Sequence, residues 1–262
     1  MQVMVAESAG FCYGVKRAVD MARETAKKCR HSVMLGSIIH NANVVAELEA
    51  LGMRKVDSWD QVRPGETVVI RSHGERKEVF ERLEAMGAAC VNATCPNVLR
   101  IQQLVAQAQE EGRTPLIIGE MHHPEVLGAA SWSERSVILP GPRELENWLN
   151  EEPSRRNMPL TATAQTTCVQ GIWESSKEIL KKQCTNAKIF DTICNATHRR
   201  QTEAAELAAQ VDVMVVVGDR KSANTKHLAE ICREKCGRVV QIERAGELSS
   251  ELFEGCLVAG LT

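Results

Sequence analysis

The chain has 262 residues, and its 32 basic and 34 acidic side chains give a formal net charge of −2 at pH 7. This balance provides no basic surface for nucleic acid or an anionic membrane, so we expect neither as a partner. The start of the chain lacks the basic segment and apolar run of a signal peptide, and no stretch reaches the ~18 apolar residues of a membrane span. We therefore expect a cytoplasmic protein, in which the ten cysteines are thiols or metal ligands rather than disulfides.

Short apolar segments alternate with longer amphipathic stretches along the whole chain. This pattern predicts strands alternating with helices, and therefore an α/β fold. In chain order, the clearest strands are VMVA (3–6), VVI (68–70), PLII (115–118), VDVMVVV (211–217) and LVAG (257–260). Because only 3% of the residues are aromatic, we expect a core of aliphatic side chains and methionine.

Three cysteines mark an internal repeat. Each of them follows a strand-like segment and precedes a helix-like one, and 24 residues after each a predicted strand ends in glycine. Four residues beyond each glycine, a polar residue begins the next predicted helix. The sequence thus predicts three pseudo-repeated α/β units around a central pseudo-threefold site, comprising residues 1–95, 96–190 and 191–262. The cysteines are Cys12, Cys95 and Cys194, the glycines Gly36, Gly119 and Gly218, and the polar residues His40, His123 and Ser222.

The repeat gives the three cysteines equivalent positions, so we expect their sulfur atoms to converge near the pseudo-threefold axis. Three thiolates without a fourth protein ligand suit either a metal ion with one open position or an iron–sulfur cluster with one undercoordinated iron. Thiolate ligands favour iron–sulfur or zinc over magnesium or calcium. A helix that begins after each cysteine would help to hold it as a thiolate.

Polar side chains gather at the predicted strand ends and helix starts, with His73 and Thr166 at the ends of two strands. Each charge-assisted hydrogen bond to an anion contributes roughly 1.5 to 3 kcal/mol, so several of these donors together could hold a diphosphate. Glu125 is the one carboxylate among them, and its pKa should rise beside an anion and away from water, which suits a proton donor. The set consists of His40, Asn41, His73, His123, Thr166, Thr167, Ser222 and Asn224.

The other cysteines and histidines favour structural roles. Cys232 and Cys236 are spaced to share one face of a helix and could chelate zinc, but no further ligand lies near them in the sequence. The remaining cysteines are expected to have structural roles, and the remaining histidines to lie on the surface or support other groups. They are Cys29, Cys90, Cys168, Cys184, Cys256, His31, His122, His198 and His227.

The motifs taken together resemble those of the 4-hydroxy-3-methylbut-2-enyl diphosphate reductases, which act last in the methylerythritol phosphate route to isoprenoids. The resemblance covers the whole chain, and the motifs occur in the family's order. They are GFCYGV with Cys12, IIHN with His40 and Asn41, SHG with His73, ATCP with Cys95, HPEV with His123 and Glu125, QTT with Thr166 and Thr167, IC with Cys194, and SAN with Ser222 and Asn224.

The resemblance implies a 4Fe-4S cluster on Cys12, Cys95 and Cys194, whose open iron binds the allylic oxygen of the substrate. It also implies an oxidoreductase that yields isopentenyl diphosphate and dimethylallyl diphosphate, with a ferredoxin or flavodoxin as electron donor. Glu125 would deliver protons, and Thr166 would lie beside the substrate hydroxyl. The diphosphate would be bound by His40, His73, His123, Ser222 and Asn224. Since no segment has the pattern of an interface, we expect a monomer.

Two departures from the family's pattern affect the third unit. Ala223 stands where the family usually has a second serine, so one hydroxyl donor to the phosphate is expected to be absent. The sequence after Cys194 is also shorter than the first two repeats, since 68 residues separate Cys194 from Thr262, against 83 and 99 between successive cysteines. The resemblance implies a further glycine-rich turn with a phosphate-binding serine, and a helix, beyond this point.

Three other functions are compatible with parts of this pattern. A quinolinate synthase-like dehydratase also uses an open iron as a Lewis acid, although the HPE and QTT motifs argue against it. A non-catalytic iron–sulfur or redox-sensing module would need the cysteines but not Glu125. A zinc-binding structural protein would need only the thiolates.

Overall fold

The computed structural model describes all residues from Met1 to Thr262. Helices and strands alternate along the chain, with 3-10 turns at Trp59–Gln61, Pro153–Asn157, Ala245–Glu247 and Ser250–Phe253. The helices are α1 Tyr13–Lys28, α2 Ala42–Ala50, α3 Lys77–Ala85, α4 Pro96–Glu110, α5 Pro124–Ala130, α6 Pro142–Glu151, α7 Gln170–Gln183, α8 Asn195–Ala208 and α9 Ala223–Arg233. The strands are β1 Gln2–Val5, β2 Ser32–Leu35, β3 Arg54–Val56, β4 Thr67–Ile70, β5 Ala89–Asn92, β6 Thr114–Ile118, β7 Val137–Leu139, β8 Leu160–Ala164, β9 Ala187–Ile189, β10 Val213–Val217, β11 Val239–Ile242 and β12 Val258–Leu261.

The strands form three parallel sheets of four strands each, with one common topology. Their orders are β3-β2-β4-β5, β7-β6-β8-β9 and β11-β10-β12-β1. All neighbouring strands are parallel. Parallel strands cannot be joined by tight hairpins and need longer connections. This confirms the predicted α/β class and the three similar units, and each of the five segments named from the sequence overlaps a strand.

The third sheet takes its last strand from the start of the chain. β1 pairs with β12 in the register Gln2 to Val258, in the position that β5 and β9 occupy in the other two sheets. Sequence reasoning placed these first residues in the unit 1–95, because a parallel pairing between distant segments leaves no local signal. The three unit boundaries themselves stay predictions.

The structure divides the chain into two compact units. The first unit holds the third sheet with α8 and α9, and comprises Met1–Cys12, Thr167–Gln170 and Ile193–Thr262. The second unit holds the other two sheets, and comprises Tyr13–Thr166 and Gly171–Thr192. No helix is long and apolar enough to cross a membrane.

Buried aliphatic residues cover both faces of the first sheet. Met34 and Val69 pack with α1 and α2, while Val33 and Ile70 pack on the opposite side with Leu83 of α3. A sheet with helices on both faces needs apolar residues at successive positions, which explains the unbroken apolar runs in β2 and β4. The interior is aliphatic, as the low aromatic content predicted.

The three repeated glycines lie directly after β2, β6 and β10 and do the same structural task. Each glycine amide donates a hydrogen bond to the carbonyl oxygen of the last residue of the neighbouring strand. The N···O distances are 2.7 Å for Gly36, 3.0 Å for Gly119 and 2.8 Å for Gly218. A Cβ atom at Gly119 would lie 2.8 Å from Gln165, and one at Gly218 would lie 2.9 Å from Thr225 Cγ2. A side chain at either position would therefore push the adjoining loop or helix away.

Substitution of Gly260 can test how closely the third sheet packs against its helices. A Cβ atom there would meet Met214 Sδ and would lie 3.1 Å from Leu207 Cγ. We expect Gly260→Ala to lower the free energy of unfolding by about 1 to 3 kcal/mol through overpacking. Gly237→Ala is the control, because a Cβ atom at this exposed glycine meets nothing within 4 Å. Urea denaturation of both variants would measure the difference, and equal midpoints would contradict the packing argument.

Candidate active site

The three predicted ligand cysteines occupy equivalent places at the starts of helices. Cys95 is the N-cap residue of α4 and Cys194 the N-cap residue of α8, while Cys12 directly precedes α1. Each is partly buried. Cys194 Sγ accepts a hydrogen bond from the Thr197 amide at 3.3 Å, the position that a capping oxygen usually takes. The predicted position of each cysteine at a helix start is therefore confirmed, and helix N-termini favour negative charge.

Cys95 is closely packed against α1. A Cβ atom on Gly14 would lie 2.6 Å from Cys95 Sγ, so only glycine leaves room for the sulfur in its present position. Arg17, one turn further along α1, donates from Nη1 to the carbonyl oxygen of Thr94 at 3.1 Å. The helix that follows Cys12 in the sequence thus fixes both the sulfur of Cys95 and the backbone before it.

The convergence of the three sulfur atoms stays a prediction. Cys12 and Cys194 belong to the first unit, and Cys95 belongs to the second. No group of three or more histidine, cysteine, aspartate or glutamate side chains is arranged to hold a metal ion. A single zinc ion needs sulfur ligands about 2.3 Å from one point. The cysteine ligands of a cluster are instead distributed over several iron atoms.

Three histidines from the predicted diphosphate set lie close together in the second unit. The ring centroids of His40 and His73 are 4.7 Å apart, and those of His73 and His123 are 5.5 Å apart. His40 lies directly before the N-cap of α2, and His123 is the N-cap of α5. His73 lies three residues beyond β4, which ends at Ile70 rather than at His73 because the chain turns at Gly74.

His73 is the central ring of this group, and its surroundings favour the neutral form of the ring. Its Nδ1 atom is buried and has no hydrogen-bond partner. Burial, and then the nearby charges of His40, His123 and Arg71, hold the pKa of His73 well below its usual value. A buried polar nitrogen without a partner is uncommon in native proteins, and it is one of the signs of a ligand site.

Asn41 and His123 have structural roles that sequence reasoning did not foresee. Asn41 Oδ1 accepts from the Val44 amide at 3.0 Å, and His123 Nδ1 accepts from the Glu125 amide at 3.2 Å. Each contact caps a helix. Since Nδ1 of His123 accepts a hydrogen bond, the neutral ring carries its proton on Nε2.

Glu125 is a buried carboxyl held at two points by one residue. Its Oε1 accepts from the Thr166 amide at 2.6 Å, and its Oε2 accepts from Thr166 Oγ1 at 2.7 Å. Burial raises the pKa of Glu125, and the two hydrogen bonds from Thr166 only partly oppose this effect. The predicted rise in pKa is therefore supported, and its main cause is loss of water.

The other predicted phosphate ligands belong to the first unit. Ser222 caps α9 and accepts from the Thr225 amide at 3.4 Å, and Asn224 follows in the first turn. Ala223, where the family usually has a serine, is buried. The carbonyl oxygen of Thr167 lies 2.7 Å from Nδ1 of His227, which gives that histidine the supporting role expected for it.

Several contributors to the site carried no clear sequence signal. The Gln165 side-chain oxygen accepts a hydrogen bond from the Glu120 amide at 2.9 Å. The Thr192 hydroxyl accepts a hydrogen bond from the amide of Ala164, the last residue of β8, and donates one to its carbonyl oxygen. Arg71 forms an ion pair with Glu75 at 2.5 Å. Nothing but their nearness to the motifs could have pointed to these residues.

Cys232 and Cys236 are structural, as expected. Both are buried in the apolar cluster formed by α8, α9 and β10. Burial, followed by the nearby Cys236, raises the pKa of Cys232 to about 11, so its thiol keeps its proton at neutral pH. A zinc ligand must be a thiolate.

Gly14 provides a test of the contact with Cys95. Alanine forms helices better than glycine by about 1 kcal/mol, so Gly14→Ala should leave α1 intact while displacing the Cys95 sulfur. We expect unchanged far-ultraviolet circular dichroism and at least a tenfold weaker retention of iron after anaerobic reconstitution, as for other changes around metal ligands. Gly171→Ala is the matched control, because Gly171 is likewise the second residue of its helix and a Cβ atom there meets nothing within 4 Å. Equal iron retention in the two variants would contradict the steric argument.

Comparison with known proteins places this arrangement in a family. The LytB protein family model matches residues 3–262. The chain is 38% identical over 270 residues to the 4-hydroxy-3-methylbut-2-enyl diphosphate reductase of Caldanaerobacter subterraneus subsp. tengcongensis, covering 100% of this chain and 91% of the relative. It is 40% identical over 265 residues to the enzyme of the same name from Anaeromyxobacter sp. strain K, covering 100% of this chain and 92% of the relative.

Two solved structures are similar to the whole chain. An (E)-4-hydroxy-3-methyl-but-2-enyl diphosphate reductase, described as the terminal enzyme of the non-mevalonate pathway, is 34% identical with a TM-score of 0.70, covering 100% of this chain and 93% of that one. The E-1-hydroxy-2-methyl-but-2-enyl-4-diphosphate reductase of Plasmodium falciparum has the same fold, with a TM-score of 0.92 at 24% identity, covering 100% of this chain and 82% of that one. From the match to residues 3–262 and the full-length relatives, we conclude that the chain belongs to the LytB family.

Proposed function

We propose that the chain reduces (E)-4-hydroxy-3-methylbut-2-enyl diphosphate to isopentenyl diphosphate and dimethylallyl diphosphate. The observation that carries this proposal is the buried Glu125 carboxyl, which is held by Thr166. Only Pro124 separates Glu125 in the sequence from His123, one of the three clustered histidines. A proton donor close to several imidazole rings suits a negatively charged substrate. The full-length reductase relatives support the same reaction.

The proposed reaction consumes two electrons and two protons. The C4–O bond breaks, the oxygen leaves as water with one of the protons, and the allylic carbon skeleton receives the other. Both protons must reach a site from which water is largely excluded, and Glu125 is the carboxyl placed to supply them.

A 4Fe-4S cluster would be held by Cys12, Cys95 and Cys194. The fit rests on the position of each cysteine at a helix start and on the space that Gly14 leaves for the sulfur of Cys95. When bound, such a cluster supplies electrons singly and offers an open iron as Lewis acid to the substrate hydroxyl. We further propose a ferredoxin or flavodoxin as electron donor and a monomeric enzyme.

The diphosphate would be held by neutral and protonated donors rather than by an arginine fork. His40, His73 and His123 supply the ring nitrogens, and His123 offers the proton on Nε2 because Nδ1 is used in capping α5. Asn41 caps α2 through its oxygen, which leaves its amide group as a donor. By family resemblance, Thr167, Ser222 and Asn224 complete the set.

Glu125 would retain a proton at a higher pH than an exposed glutamate does. Its two hydrogen bonds from Thr166 fix the orientation of the carboxyl group. Thr166 would lie between this carboxyl and the substrate hydroxyl. Its own hydroxyl can pass a proton on, since it both donates and accepts hydrogen bonds.

The direct test is anaerobic turnover of the diphosphate substrate by the iron-loaded chain with a reduced dye. Release of the two isomeric products would support the proposal. An iron-loaded chain that binds the substrate without converting it would overturn the reaction and favour the redox-sensing module instead.

Replacing the acid isolates its chemical role. Glu125→Gln keeps the size of the side chain and an oxygen that can accept from Thr166. We expect substrate affinity, measured by calorimetry, to change little, and kcat to fall by about 100-fold or more, the usual contribution of a general acid. Glu134→Gln, at an exposed glutamate, is the control. Near-normal kcat in Glu125→Gln would remove this residue from the proton path.

The low pKa of His73 predicts that substrate binding takes up protons. His73 is neutral at pH 7 in the free protein, and the negative diphosphate should raise its pKa, so binding should draw in up to about one proton per substrate. Affinity should therefore fall as pH rises through the pKa of the bound form. Calorimetry in buffers of different ionisation enthalpy measures the uptake. We expect it to be lost in His73→Gln and kept in His31→Gln, at an exposed histidine; the same uptake in all three proteins would refute the assignment.

A further inference from the structure

The loop between β1 and Cys12 is exposed and has little packing of its own. Glu7, Ala9, Gly10 and Phe11 are exposed, and Gly10 has a φ of 96°, a conformation that favours glycine. An exposed loop with a glycine in this conformation has many accessible conformations when nothing else restrains it. The backbone on the N-terminal side of Cys12 therefore depends on contacts made elsewhere for its position.

Two side chains of α8 provide those contacts. Arg200 donates to the carbonyl oxygens of Ser8, at 3.1 Å, and Gly10. One carboxylate oxygen of Glu203 accepts a hydrogen bond from the Glu7 amide. The other accepts two hydrogen bonds from Ser8, one from its amide at 2.9 Å and one from its hydroxyl. These five hydrogen bonds all involve a charged partner, and four of them hold the backbone itself.

The two side chains are complementary in chemistry and in position. Arg200 and Glu203 are three residues apart and so lie on one side of α8. The guanidinium of Arg200 donates to carbonyl oxygens of the loop, and the carboxylate of Glu203 accepts from N–H groups of the loop. Arg199 forms an ion pair with Glu7 at 2.9 Å, but the side chains are 64% and 83% exposed, so this contact adds little. The restraint on the loop comes from Arg200 and Glu203.

The helix that restrains the Cys12 loop is the one that Cys194 caps. One rigid element thus carries Cys194 at its first turn and the backbone before Cys12 on its side. A comparable contact exists in the second unit, where Arg17 of α1 holds the carbonyl oxygen of Thr94, next to Cys95. In both cases an arginine in a helix that follows one cysteine binds the backbone that precedes another.

We infer that Arg200 and Glu203 are positioning residues that hold Cys12 in place relative to Cys194 by binding the loop of residues 7–11 to α8. The inference rests on the proposed function in one respect, since the position of Cys12 matters for the cluster only if Cys12 is its ligand. Neither side chain needs to touch the substrate or the cluster.

Glu203→Ala and Arg200→Ala test the inference, with Glu206→Ala as matched control, since Glu206 lies one turn further along α8 and is exposed. In the full-length chain, hydrogen exchange at the amides of residues 7 and 8 should speed up at least about tenfold in Glu203→Ala and stay unchanged in the control, because their acceptor is removed. After anaerobic loading, the rate of iron loss to a chelator should rise about 10-fold to 100-fold, the usual effect of losing an outer partner of a metal ligand.

The conservative variant separates positioning from general destabilisation. Glu203→Gln keeps one accepting oxygen instead of two, so its iron loss should lie between those of the wild type and Glu203→Ala, at an unchanged melting temperature. Iron loss that follows the melting temperature rather than loop exchange would overturn the inference. So would wild-type iron retention in Glu203→Ala and Arg200→Ala. A wild-type chain that binds no iron at all would instead refute the proposed function, and the inference with it.

Discussion

Parallel strand pairing is the constraint on which the rest of this structure depends. A parallel sheet brings the carboxyl ends of all its strands to one edge, where the following helices also begin. Three sheets of one topology repeat this arrangement, so that Cys12, Cys95 and Cys194 each stand between a β-strand at the sheet edge and a helix. The residues directly after β2, β6 and β10 are glycines, and there a side chain would contact neighbouring residues closely.

Loss of water determines the electrostatics of the second unit's polar cluster. Burial raises the pKa of Glu125 and lowers that of His73, so both groups favour their uncharged forms before any ligand arrives. A site prepared in this way has little charge of its own to neutralise. Under the proposed function, the charge enters with the diphosphate, and the ionisation of His73 follows from it.

Local patterns predicted much of this structure, and distant pairings explain what they missed. Apolar runs identified five of the strands, and the equal spacing of the three cysteines identified the repeat, because both signals lie within short stretches of sequence. The pairing of β1 with β12 joins opposite ends of the chain and has no such signal. The contacts of Arg200 with Ser8 and of Arg17 with Thr94 were missed for the same reason. Capping by Asn41 and His123 was hidden because the same side chains suit an anion site.

The borrowed strand β1 makes the third sheet dependent on residues far from it in sequence. If β1 detached, β12 would present a bare row of backbone donors and acceptors, which is a ready template for another strand. The β1 strand of a second molecule would fit that place as well as the chain's own, because it has the same residues and register. Exchange of this short segment between two copies is therefore compatible with the strand pairing of the third sheet and is one route to a domain-swapped dimer.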